Sequence, residues 1–401
     1  MERIQLLEDL FLAYYQARKN KRNTINQMRF EINMEKELFA LCDELLDGSY
    51  LISPCICFIV KEPVKREIFA ADFRDRVVHH LLFNYLNPVF ELSFISNSYS
   101  CRKERGTHFG IKRVNEFISE CSRGYTRDCY ILKLDIQGYF MNIDREILMK
   151  IINKSLAERK AEYYGFKRQP DWELVSRLLE QVVMYDPTKD CRVRGKMSDW
   201  EGLPPSKSMF HSPAGCGLPI GNLTSQLFSN VYLNDFDHYM NDTLKLKYYG
   251  RYVDDFVVVH PSKERLKEVK ESVNTYLKEH LHLTLHPKKV YLQHYAKGMS
   301  FLGAYIKPNR IYVSNRTKRK FYRTLHEIDC LLSNRTIDKA LLFHVRDSIN
   351  SYLGILRHYN TYKLRKKLLL SGSHLFFRYG YLSNKLLKFQ LSKKQLIINT
   401  I

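Results

Sequence analysis

Two adjacent aspartates, Asp254 and Asp255, interrupt the apolar, β-branched run YYGRYVDDFVVVH at residues 248–260. Charged groups are costly to bury unpaired, and neighbouring like charges repel. A polar β-turn would account for the pair by itself. The other account is a cation that cancels the repulsion. A third acid, Asp135, ends a second apolar strand in LKLDIQGYF. If the two strands are neighbours, the three carboxylates meet at one edge, which is electrostatically untenable without cations. Hard divalent ions take oxygen ligands, and Mg2+ commonly uses one or two carboxylates plus substrate phosphates. Two such ions, roughly 3.5–4 Å apart, activate an attacking hydroxyl and stabilise a leaving pyrophosphate in an in-line displacement.

The elements that must position these acids are readable by periodicity. Residues 1–50 carry helical spacing, CICFIV is a strand, and residues 74–90 form a helix ending at Pro88. YILKLDI (130–136) alternates as a strand should, and residues 145–155 are helical. Turn formers crowd residues 186–219, which predicts a long loop or β-decorated insertion. A helix opens at Gly221-Asn222, and the aspartate pair joins two strands by a tight turn. Leu266, Val269, Val273, Leu277 and Leu281 recur at spacings of three and four, giving an amphipathic helix over 263–281 behind Ser262 as N-cap. Strand-like KVYLQHY, MSFLGAYI and RIYVS follow, then helices to the end. From 130 to 306 this order approaches the split βαβ plan, with helices on one face of a small antiparallel sheet.

Composition narrows the classes. The chain has 401 residues, of which 45% are hydrophobic, enough for a folded core in two or three subdomains. No apolar run approaches the ~20 residues that span a bilayer, so no membrane partner is expected. The N-terminus lacks the apolar core and cleavage site of a signal peptide, so the expected place is the cytosol, as a bacterial cytosolic or nucleoid-associated protein. Nine scattered cysteines without a CxxC pair read as reduced, packed thiols. Residues 306–401 hold 20 Lys and Arg against 4 Asp and Glu, so most of the net charge of +21 lies in the last quarter. Aromatics interleave there, in KRKFYRTL, RHYNTYKLRKK and FFRYGYLSNK, which suits a nucleic acid with a charged backbone and stacking faces.

Taken together, these stretches resemble the reverse transcriptases. YVDDF resembles their Y-x-D-D hairpin and LKLDIQGYF their first catalytic strand. REIFAADFRDRVVHHLL is similar to the fingers segment, SNSYSCRKERGTHFGI to the template-contacting segment, and GLPIGNLTSQLFSNVYL to the motif between the catalytic strands. LTLHPKKVYL and FLGAYI look like the last palm motif and the primer grip. The resemblance implies an α+β right-hand polymerase. Fingers would occupy 1–128, a split-βαβ (ferredoxin-like) palm 129–305 with an insertion around 156–210, and a basic helical thumb 306–401.

It also implies roles. Asp135, Asp254 and Asp255, helped by the carbonyl of Ile136, would hold two Mg2+ ions, with Mn2+ able to substitute. Gln137, Gly138 and Tyr139 would lie near the incoming deoxynucleoside triphosphate, and Phe140 would be an aromatic gate against a ribose 2′-hydroxyl. Lys65 and Arg66 would hold the triphosphate, and Lys289 would supply a proton to pyrophosphate. Arg102, Lys103, Gly106 and Thr107 would touch template RNA. Phe301, Leu302 and Gly303 would position the primer end of the nascent cDNA. The histidines His79, His80 and His108 read as structural.

One departure separates subfamilies. Most members carry glutamine before the glycine of the middle motif and proline after its serine. Here Ile220 precedes Gly221, and Gln226 follows Ser225. That variant is similar to the group II intron-like enzymes of diversity-generating retroelements, which copy RNA with frequent errors at adenines. Alternatives are a phage-defence reverse transcriptase and, from another class, a catalytically idle RNA-binding scaffold. An RNA-dependent RNA polymerase is disfavoured by Phe140. No nuclease domain is expected after residue 306, which leaves product processing to an accessory protein, with a structured non-coding RNA as a further partner.

Overall fold

The computed structural model describes residues 2–19, 24–62, 64–159, 169–334 and 337–392; parts of the expected insertion and thumb lie outside these. In chain order come helices α1 (Arg3–Arg18), α2 (Ile25–Ile32) and α3 (Met34–Asp47), then strands β1 (Ile56–Val60) and β2 (Arg66–Ala70). Helices α4 (Phe73–Glu91) and α5 (Thr107–Cys121) precede strand β3 (Tyr130–Asp135). Helices α6 (Tyr139–Asn142), α7 (Arg145–Arg159) and α8 (Trp172–Met184) lead to strand β4 (Arg192–Val193) and a series of short 3-10 turns. Helices α9 (Leu223–Tyr232) and α10 (Asn234–His238) then reach the hairpin β5 (Tyr249–Tyr252) and β6 (Asp255–His260). Helix α11 (Lys263–Leu281) is followed by strands β7 (Tyr291–His294), β8 (Met299–Phe301), β9 (Ala304–Lys307) and β10 (Arg310–Val313). The chain continues with α12 (Asn315–Asn334), α13 (Lys339–Leu356), α14 (Tyr362–Leu370), β11 (Gly380–Leu382) and β12 (Phe389–Leu391).

The chain divides into two compact units, each made of separate stretches. The first comprises Met1–Lys103, Leu132–Val258 and Glu264–Tyr291. The acid-bearing strands lie in a four-stranded sheet of order β5-β6-β3-β7, so β3 is the direct neighbour of the hairpin. Strand β6 buries four successive residues, Phe256 to Val259, as a strand covered on both faces must. Helix α11 buries the five positions that its spacing singles out. A second sheet, β2-β1-β4, has β1 antiparallel to β2 and parallel to β4.

Helix α4 runs past Pro88 to Glu91, whereas the sequence reading stops it there. Within the last turn a proline removes a single backbone hydrogen bond, and Val89 and Phe90 beyond it are buried at 0% and 1% exposure. The apolar burial outweighs the missing bond.

The second unit comprises Glu104–Ile131, Val259–Lys263 and Leu292–Ile401. Its sheet has the order β10-β9-β8. Leu302 and Gly303 join β8 to β9 with φ of 47° and 83°, the positive values that a two-residue hairpin turn needs. Its core is built by Phe321, Leu325 and Ile328 of α12, by Val345, Ile349 and Leu353 of α13, and by Phe376 and Phe389. The expectation of helices to the end is corrected by β11 and β12, which pair antiparallel. Their three-residue strands are too short for alternation to show.

Within the first unit the segment 97–99 runs beside β5. Tyr99 N–H donates to the Arg251 carbonyl at 2.9 Å, and Arg251 N–H donates to the Asn97 carbonyl at 2.9 Å. Gly250 sits at the crossing, where an added Cβ would run into the Tyr99 hydroxyl. Gly250→Ala is expected to lower stability by about 1–3 kcal/mol through overpacking, measured by denaturant unfolding; an unchanged midpoint would contradict this packing.

Candidate active site

Tyr252 pairs with Asp255, leaving Val253 and Asp254 as the two turn residues. Val253 has φ of 56°, a costly conformation for a β-branched residue and one that persists only where surroundings impose it. Across the turn, Ile136 N–H donates to the Asp254 carbonyl at 3.3 Å, which ties the end of β3 to the hairpin. The Asp135 charge is close enough to act on both Asp254 and Asp255. The three acids therefore share one edge, as the strand pattern requires.

Lysines answer their repulsion. Lys289 Nζ donates to both oxygens of Asp135 at 2.8 Å, and Lys133 Nζ lies 2.9 Å from Asp255 Oδ2. Asp255 Oδ1 is buried and has no hydrogen-bond partner among the described residues. Burial, and next the Asp135 charge, push Asp254 up to about 6. Burial also raises Asp255, with Lys133 opposing it.

Among the described residues no three His, Cys, Asp or Glu side chains form a ready metal cage. That fits an ion that takes only one or two carboxylates and fills its shell with carbonyls, waters and phosphates. An orphaned buried carboxylate oxygen beside further hard oxygen donors suits Mg2+. Asp135, Asp254, Asp255 and the Ile136 carbonyl are the residues that can hold it.

The neighbouring wall is built on β2. Glu67, at 0% exposure, accepts from Trp200 Nε1 at 2.7 Å, Ser208 Oγ at 2.9 Å and Met209 N–H at 2.6 Å. Lys65 Nζ donates to the Glu201 carbonyl, while Arg66 is exposed. Phe69 N–H donates to the Ile220 carbonyl at 2.9 Å. Gly221 follows with φ of 135°, where a Cβ would sit 2.9 Å from the Phe69 carbonyl oxygen. Phe140 and Ile220 both pack on Cys55, Cys57, Phe69, Met141 and Met209, an apolar cluster.

Gly138 has φ of 57°, and a Cβ there would lie 2.6 Å from the Ser206 carbonyl oxygen. Tyr139 is 2% exposed, and its hydroxyl donates to the Ser229 carbonyl. Only its backbone can serve a phosphate. The Gln137 side chain borders a polar cavity with Asn142, Ser206, His211, Ser212 and His282.

Of the expected template residues, Arg102 needs correcting. Its side chain is 6% exposed, paired with Glu91 at 2.8 Å and donating to the Ile95 and Ser98 carbonyls at 2.6 and 2.9 Å. It organises its own loop and has no free face for a template. Lys103 is exposed. Gly106 and Thr107 stand at the start of α5. Phe301 is 1% exposed and belongs to the core, which leaves Leu302 and Gly303 at the turn surface. Burial lowers His79 to about 3 and His80 to about 4, as for neutral structural rings.

The sequence reading passed over Lys133, Glu67, Arg251 and Asp237. Lys133 shares strand parity with Asp135, and Glu67 shares it with the buried Phe69, so alternation carried a signal for both. For Arg251 the signal was a basic residue inside a buried strand. Its partner Asp237, on a short helix, had none.

A description of one family, Reverse transcriptase (RNA-dependent DNA polymerase), matches residues 61–306, more than half the chain, and the chain belongs to that family. The fold is accordingly an α+β polymerase fold. Among curated proteins the chain is similar to Protein YkfC of Escherichia coli K12, 24% identical over 313 residues, which cover 70% of this chain and 73% of that one. It is also similar to the group II intron-encoded protein LtrA of Lactococcus lactis, 22% identical over 325 residues, covering 73% of this chain and 53% of LtrA. Apo telomerase from Candida tropicalis, truncated from its C-terminal domain, matches 66% of this chain and 56% of its own at 15% identity and a TM-score of 0.46. The chain thus spans about half the length of LtrA and of the telomerase.

The raised Asp254 has a measurable consequence. Between its unfolded value near 4 and its folded value of about 6, the native state holds the extra proton, so stability falls as pH rises through that window. In metal-free protein at pH 7, Asp254→Asn is expected to raise stability by roughly 1–3 kcal/mol. The gain should vanish below about pH 3, where Asp254 is protonated in both states. Chemical unfolding in EDTA at both pH values checks this, and an equal effect at the two would contradict it.

Proposed function

We propose that the protein copies an RNA template into cDNA by two-metal nucleotidyl transfer. The observation that carries the reading is the edge shared by Asp135, Asp254 and Asp255, with a buried oxygen of Asp255 left without a partner among the described residues. Two Mg2+ ions there would supply Lewis-acid stabilisation of the reacting phosphate. The chain's own residues do the rest. The carboxylates would hold the ions, and Lys289, within reach of Asp135, would hand a proton to the leaving pyrophosphate. Lys65 and Arg66 enter β2 and offer positive charge to the triphosphate. Phe140 forms the ribose side of the pocket. In this reading the β1–β2 hairpin belongs to the fingers, the four-stranded sheet to the palm, and residues 306–392 to a basic thumb that grips an A-form duplex by its backbone.

Purified protein should extend a DNA primer on an RNA template with Mg2+ and deoxynucleotides, and Asp254→Ala should abolish extension. RNA binding without extension would favour the idle scaffold. Comparable extension with ribonucleotides would favour an RNA polymerase.

The error-prone, diversity-generating reading rests on Ile220. Ile220 joins the apolar cluster that Phe140 also touches, at the place where the resemblance implies glutamine in most members. Hydrogen-bonded discrimination is strong, whereas apolar packing alone discriminates by only ~1–3 kcal/mol. Ile220→Gln is expected to lower misincorporation opposite template adenine. Sequencing cDNA from both enzymes checks this, and identical error spectra would remove this account of Ile220.

A further inference from the structure

Behind the acid-bearing turn lies an ion pair that takes no part in phosphoryl transfer. Arg251 and Asp237 both have side chains at 0% exposure. Arg251 Nε donates to Asp237 Oδ1 at 2.8 Å and Nη2 to Oδ2 at 2.5 Å, a two-pronged fork, while the Tyr249 hydroxyl donates to Oδ1 at 2.5 Å. The third nitrogen, Nη1, donates to the Val253 carbonyl at 3.0 Å, inside the strained turn. It also approaches Asn230 Oδ1 at 3.4 Å. Asn230 in turn donates to the Ser100 carbonyl at 2.8 Å and accepts from the Ser100 hydroxyl at 3.0 Å.

Stability alone does not account for this pair. Burying two charges costs so much desolvation that apolar residues of similar volume often serve as well. What apolar residues cannot do is hold the carbonyl of a residue whose φ is 56°. The planar guanidinium is rigid, so fixing two of its nitrogens on Asp237 fixes the direction of the third. We propose that Arg251, oriented by Asp237, is the positioning residue that holds the Val253–Asp254 turn in the conformation that receives the metal ions. This rests on the two-ion reading of the acid edge. The same guanidinium reaches Ser98 Oγ at 3.4 Å and, through Asn230, Ser100, so the hairpin and the segment leading to Arg102 share one anchor.

Removing one partner strands a buried charge and endangers folding. The decisive variant is therefore the double replacement Asp237→Leu/Arg251→Met in the full chain, with Arg251→Lys as its companion. Arg251→Lys keeps a charge opposite Asp237 but loses the fork. Five quantities are read: thermal unfolding, affinity for an RNA–DNA hybrid, Mn2+ binding to the free protein by electron paramagnetic resonance, and kcat and KM for primer extension. Folded variants are expected to keep hybrid affinity, to bind Mn2+ about 10-fold more weakly, and to lose about 10²-fold in kcat with KM little changed, the scale of a 1 Å misplacement.

Mn2+ affinity and kcat like those of the wild type in a folded variant overturn the proposal. So does a fall in kcat with unchanged Mn2+ affinity, because the turn would then hold its ions without Arg251. If the double variant does not fold, Arg251→Lys decides by the same two readouts. Wild-type protein that binds no Mn2+ and extends no primer overturns the two-ion reading and this proposal with it. Wild-type protein that does both, with variants to match, overturns this proposal alone.

Discussion

Like charges cannot be gathered at a sheet edge and left to repel, and much of the first unit answers that constraint. Asp135 ends one strand, Asp254 lies in the turn before the next and Asp255 begins it, with the two strands directly adjacent. Each half of the problem meets a lysine, Lys289 for Asp135 and Lys133 for Asp255. Burial and the Asp135 charge push Asp254 up to about 6, and burial raises Asp255 as well. These ion pairs offset the carboxylate charges and remain displaceable, which burial under apolar side chains would not allow.

The rest of the unit serves rigidity around that edge. The turn is strained at Val253, and strain persists only where several contacts over-determine the backbone. Here they come from three directions: the Ile136 amide, the Arg251 guanidinium and the main chain of residues 97–99 alongside β5. Gly250 allows the last of these by leaving out a side chain where Tyr99 approaches.

Periodic features were legible in the sequence, and features made by distant partners were not. The apolar spacing of α11 and the alternation of β3 specify their own burial, because each depends only on residues a few positions apart. The acid trio was legible for a related reason, since each member stands at the end of an apolar strand. Pro88 misled because a local helix breaker was overridden by the burial of Val89 and Phe90. Arg102 misled because a basic residue in a polar loop looks like a ligand for phosphate, yet here Glu91 and two carbonyls enclose it. The Arg251–Asp237 fork joins a strand to a short helix 14 residues earlier, and nothing in either stretch alone announces the other.

Glu67 carries a mechanical implication. By accepting from Trp200, Ser208 and Met209 together, it bolts the loop at 200–209 to the β1–β2 hairpin. Hairpin and loop then form one plate, and breaking a three-donor clasp around a buried carboxylate is too costly for an ordinary catalytic cycle. Any flexing that admits a substrate or lets a product go must be sought outside that plate, in the connections that leave it.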